Sequence, residues 1–90
     1  MSNDKTDFSS SRRIMVSLRP GHSAADVGRE YASRATHAIY KLAKAGIGQQ
    51  FSLWFDNSHD GDVEADDALA ALIEDKRVHR LEDVVRWYAN

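Results

Sequence analysis

The stretch from His22 to Lys44, HSAADVGREYASRATHAIYKLAK, leaves this chain few ways to fold. Val27, Tyr31, Ala35, Ala38 and Leu42 recur at spacings of three and four, so helical winding lines them along one face. Gly28, Ala32 and Ile39 join that side. The opposite side holds Arg29, Ser33, Arg34, His37, Lys41 and Lys44, with Glu30 the one acid among them. Ser23 reads as an N-cap with Asp26 three residues on, close to a capping box. Asp26 in the first turn and Lys41 and Lys44 in the last both complement the helix dipole. Gly46 suits the left-handed residue that follows a helix. The pattern predicts one long helix over 22–44, apolar on one side and cationic on the other.

The flanking segments alternate with period two. In Arg12–Arg19, Ile14, Val16 and Leu18 alternate with Arg13, Met15, Ser17 and Arg19, which predicts a strand with one buried face, ended by Pro20-Gly21. After the helix, Phe51, Leu53 and Phe55 alternate with Gln50, Ser52, Trp54 and Asp56. Helical spacing also fits Ile47, Phe51, Trp54 and Phe55, but the glycines and aromatics favour a strand over 49–56. Strand, helix and strand over 12–56 predict a βαβ unit with parallel strands. Its helix would cover the apolar strand positions, leaving Met15 and Trp54 on the other sheet face.

Two shorter helices are expected beyond that unit. Val63–Lys76 places Ala65, Ala68, Leu69, Leu72 and Ile73 on one face, with acids in the first turn. Leu81, Val84, Val85 and Tyr88 make a second stripe, while Val78 and Leu81 fit a third strand near 77–81. Two strands alone make a marginal sheet, so either a third strand exists or a second copy completes it. The expected fold is therefore α+β (or small α/β): a strand–long helix–strand unit, an acidic turn and two shorter helices. One small domain spans 12–90, preceded by a disordered polar tail over 1–11.

Charge is distributed unevenly. The net charge is −2, yet residues 1–45 carry eight Lys/Arg against four Asp/Glu, and residues 46–90 carry four against ten. Such a balance argues against a general polyanion binder while leaving room for a local basic patch. No cysteine is present, which removes disulfides and thiolate metal sites. No apolar run is long enough to span a membrane, and the N-terminal residues lack a signal-peptide core, so a cytoplasmic protein without a membrane partner is expected.

Three surfaces are candidates for function. Asp56–Asp67, DNSHDGDVEADD, resembles the calcium loop of an EF-hand. The resemblance assigns Asp56, Ser58, Asp60, Gly61, Val63 and Asp67 to positions 1, 3, 5, 6, 8 and 12, with Glu64 at position 9. It implies Ca2+ or Mg2+ held by Asp56, Ser58, Asp60, Asp62, Glu64 and Asp67. The residue at position 12 is Asp rather than Glu, and no second loop pairs with this one. The competing reading is a polar connection in which Asp60 or Asp62 caps the following helix and no cofactor binds.

RIMVSLRP resembles the first strand of ribbon-helix-helix DNA-binding proteins, which pairs across a dimer and reads the major groove. The resemblance places Arg13, Met15, Ser17 and Arg19 outward, but that family needs two helices, and residues 22–45 show no glycine or proline break between them, only Ser33–Thr36 as a bend. Independently of any family, Arg29, Arg34, His37, Lys41 and Lys44, with Tyr40 to stack, form a basic helix face suited to a protein partner or to nucleic acid. Arg13 and Arg19 extend that surface. Catalysis has no matching constellation: the histidines at 22, 37, 59 and 79 are scattered. The expected function is a small non-catalytic binding or regulatory module acting through protein–protein contacts, as a homodimer or with another protein. The alternatives are nucleic-acid binding through the basic face and cation binding by the loop.

Overall fold

The computed structural model describes residues 12–42 and 49–84. Their order is β1 (Arg12–Leu18), α1 (Ala24–Ser33), β2 (Ala38–Leu42), β3 (Gln50–Phe55), α2 (His59–Ile73) and β4 (Val78–Val84). The four strands form one sheet in the order β2-β3-β1-β4, and every neighbouring pair is antiparallel. The class is α+β. Because β3 is inserted between β1 and β2, this is a split βαβ arrangement, ferredoxin-like in topology.

Both helices pack on one face of the sheet, α1 over β2 and β3, α2 over β1, β3 and β4. The alternation in β1 and β3 places Ile14, Val16, Leu18, Phe51, Leu53 and Phe55 on that face, all buried. Ala24, Val27 and Tyr31 of α1 and Ala65 and Leu72 of α2 close over them. Leu72 and Ala65 are fully buried, which fixes the inner line of α2. At the far end of the helix layer, Arg77 binds both Asp75 and Glu30, and Asp75 accepts a 2.7 Å hydrogen bond from the Tyr31 hydroxyl. That network ties the end of α1 to the turn after α2.

Four expectations from the sequence are corrected. The long helix ends at Ser33, and Ala38–Leu42 is a strand. The segment has both periods: Ala38, Tyr40 and Leu42 also alternate with Ile39 and Lys41, and pairing with β3 decides between them. The strand at 50–55 is confirmed, but it runs antiparallel to β1 because β2 turns the chain back before it. Val78–Val84 is a strand rather than part of a helix. The third strand that Val78 and Leu81 fit is therefore present and extends to Val84. A register shift at Ser17/Leu18 skips His79 and puts Val78 and Leu81 on the core side together, while Val84 pairs beside Arg13 on the other side by plain alternation. Lastly, Ile73, expected on the inner face of α2, is 67% exposed. The further strands that the short sheet called for are β2 and β4. The tail at 1–11 and the stripe residues Val85 and Tyr88 lie outside the described residues.

Candidate functional site

Side chains on the sheet face away from the helices form a regular lattice. Cross-strand partners share a face, so the register sets three rows across this open face. One row is Ile39, Trp54, Arg13 and Val84; the next is Lys41, Ser52, Met15 and Glu82; the third is Gln50, Ser17 and Arg80. Trp54 stands at its centre. The indole Nε1 donates to Ser52 Oγ at 2.8 Å, and Gln50 Nε2 donates to Ser17 Oγ at 3.0 Å. Arg13 and Lys41 reach the indole from the strands on either side of β3, at 4.6 and 4.1 Å from the ring centroid. Both distances are within cation–π range. Met15 and Ile39 are 42% and 39% exposed beside it. A depression of about 310 Å³ opens next to the indole, where Met15, Ser17, Gln50, Ser52, Arg80 and Glu82 meet.

The two layers differ in how their cations are compensated. On the helix side, Arg12 pairs with Asp66 and Asp83, Arg29 with Asp26, Arg34 with Glu30, and Arg77 with Asp75 and Glu30. Arg77 and the Tyr31 hydroxyl together hold the Asp75 carboxyl well below the usual carboxylate range, against the opposing effect of burial. On the open face, Arg13, Lys41 and Arg80 make no ion pair with a described residue. Arg13 Nε is moreover buried without a hydrogen-bond partner. Meanwhile α2 carries Asp60, Asp62, Glu64, Asp66 and Asp67 and no cation. Hence the fold turns a charge asymmetry along the chain into one between two faces.

The basic helix face expected from the sequence is dispersed. Arg29 and Arg34 sit on α1 with their charges paired, and Arg34 also lies over the Tyr31 ring at 4.7 Å. His37 lies in the α1–β2 connection, where Glu64 accepts from its backbone N–H at 2.7 Å and contacts its Nδ1 at 3.2 Å. Tyr40 faces the core side and abuts Gly28. Arg19, past the end of β1, donates to the Lys76 carbonyl. Lys44 lies outside the described residues. Only Arg13 and Lys41 come together, and they do so around Trp54. Alternation in the sequence turns Met15, Gln50, Ser52 and Trp54 to this face, whereas Ile39, Arg80 and Glu82 join it only through β2 and β4. Period-two reading of 38–42 was the signal that places Ile39 and Lys41 there.

The ribbon reading is corrected in its pairing, because β1 is an inner strand between β3 and β4 and is not free to pair with another chain. The cation loop is corrected in its conformation. Helix α2 starts at His59, so Asp60, Glu64 and Asp67 are strung out along one helix face over two turns, with Asp62 on the opposite face, instead of encircling one centre. Ser58, not Asp60 or Asp62, is the N-cap: its Oγ accepts from Gly61 N at 2.9 Å and donates to Asp56 Oδ1. Glu64 is taken up by Thr36 and His37, and Asp62 faces Arg12 at 3.5 Å. Among the described residues, no three His, Asp or Glu side chains are grouped to hold a metal ion.

Compared with known proteins, the chain matches no family model, no curated protein and no solved structure. A topology of this kind hosts many functions, so the surface itself has to carry the argument. No helix among the described residues is long and apolar enough to cross a membrane.

Proposed function

We propose that the protein is a non-catalytic binding module whose working surface is the open face of the sheet. The observation that carries this reading is the contrast in compensation. Each arginine named on the helix side has a carboxylate, whereas Arg13, Lys41 and Arg80 have none and two of them are gathered on one indole. Uncompensated cations around a half-buried indole with exposed Met15 and Ile39 beside it suit a contact surface for an anionic macromolecule.

Comparative capture by tagged full-length protein tests the reading. Arg13→Glu/Lys41→Glu is expected to lose whatever the wild type retains, with circular dichroism and melting temperature kept. Asp62→Lys/Asp66→Lys, on the helix layer, is expected to retain it. The opposite pattern, loss only in the helix-layer variant, sinks the proposal.

A further inference from the structure

We infer that the partner of the open sheet face is single-stranded nucleic acid, an inference that rests on that face being the working surface. The arrangement of charge is the first reason. Lys41 on β2 and Arg13 on β1 are two strands apart, roughly 10 Å at ordinary strand spacing. Arg80 pairs beside Ser17, four residues along β1 from Arg13, which adds about 13 Å along the strands. The cations therefore stand at three separated points of the open face, each in a different row, a spread of positive charge that suits several phosphates of one chain better than one small anion.

The depression supplies the second reason. Its polar lining mixes donors and acceptors: the Arg80 guanidinium, the Glu82 carboxylate, the Gln50 amide and the hydroxyls of Ser17 and Ser52. A nucleobase edge carries both donors and acceptors and can use such a set. Glu82 can accept from the amino group of a base, a donor that the acidic side chains of a peptide lack. Duplex nucleic acid keeps its base faces stacked away from the indole, so an unpaired strand fits better.

Trp54 supplies the third. Its ring is flanked by cations, and cations can be exchanged. A base stacking on the indole takes the place of one of them, which then meets phosphate. For Arg13 that exchange also frees an Nε now buried without a partner.

The test uses the full chain in a Trp87→Phe background, so that Trp54 is the reporting indole. The probes are dye-labelled mixed-sequence single-stranded DNA and RNA, the matching duplex, and a polyglutamate peptide. Either single strand is expected to quench Trp54, with log K falling against log salt with a slope of about −2 for three cations. Arg80→Ala is expected to reduce that slope by about 0.7. Trp54→Ala is expected to weaken binding by roughly 10- to 100-fold, and Trp54→Phe to keep most of it. Arg80→Ala keeps the inference testable should Trp54→Ala fail to fold. No single-strand binding at ~100 μM protein, the weak end of non-specific affinity, overturns it. Equal or tighter binding of polyglutamate overturns it too, while leaving the sheet face as the working surface. Failure of the capture experiment, in contrast, removes the surface itself.

Discussion

At the scale of single residues, two helical glycines are fixed by what lies across from them. A Cβ on Gly28 would stand 2.8 Å from Tyr40 Cδ2 and 3.2 Å from Phe51 Cδ2. Neither ring has room to move, since Phe51 is buried under α1 and Tyr40 is packed against the core. Alanine gains about 1 kcal/mol of helix propensity over glycine, against about 1–3 kcal/mol for overpacking. Gly28→Ala is thus expected to destabilise by up to about 2 kcal/mol in urea denaturation. Gly61 is tighter still. A Cβ there would meet the Asp56 carbonyl and carboxylate, and a backbone carbonyl cannot rotate aside. Gly61→Ala also disturbs the Ser58 cap, so its loss should exceed that of Gly28→Ala. A smaller loss would mean that the β3–α2 connection can shift freely.

At the scale of elements, the junction from α1 to β2 is where local pattern and tertiary structure part. Ser33 Oγ turns back to the Glu30 carbonyl, and the N–H groups of Arg34 and Ala35 close on Tyr31 and Ala32. The next two N–H groups, of Thr36 and His37, go to the Glu64 carboxylate of α2. Glu64→Ala leaves both without that partner, and an unmade buried hydrogen bond costs about 1–3 kcal/mol. The lower end applies here, because the Thr36 bond is exposed. Hydrogen exchange should quicken at Thr36 and His37 while Ile14 and Val16 stay protected; unchanged exchange at the junction would contradict this role for Glu64. The same junction explains what the sequence could convey. The core faces of β1 and β3, the Ser23 cap and the apolar line of α2, apart from Ile73, were legible, because each rests on neighbours in the chain. The end of α1 was not, because its stop signal comes from a residue 27 positions away. β4 was legible only in its first half, through Val78 and Leu81, because Leu81 and Val84 also have helical spacing although they lie on opposite faces. The candidate surface was half legible for a related reason: Trp54 and Met15 follow from alternation, but Lys41 joins Arg13 only once β2 exists.

At the scale of the whole molecule, stability should depend on pH from both sides. Glu30, Glu64 and Asp75 all sit below their ordinary values. For Glu30 and Asp75 the main cause is hydrogen bonding to Arg77; for Glu64 burial pushes upward, but the N–H groups of His37 and Thr36 outweigh it. A carboxyl whose folded value is depressed contributes stability that is present above its unfolded value, about 4. That contribution is lost as pH falls through the folded value. His37 works in the opposite sense. Its hydrogen bond to Glu64 raises it above 6.5, so its contribution is full below that pH and is lost as pH rises through the folded value. Together these place the plateau of the urea midpoint between about pH 4.5 and 6.5, with a decline on each side. Glu64→Gln removes the hydrogen-bonded charge that raises His37 most, so it should flatten the alkaline decline. Its single amide oxygen can replace only one of the two carboxylate oxygens that Thr36 and His37 use, so the midpoint should also drop at every pH. Asp75→Asn should make the acid decline shallower and leave the alkaline one in place. Asp56 and Asp60 also raise His37, so a shallower limb should remain; an alkaline limb left unchanged by Glu64→Gln would show that the bond between Glu64 and His37 does not set it.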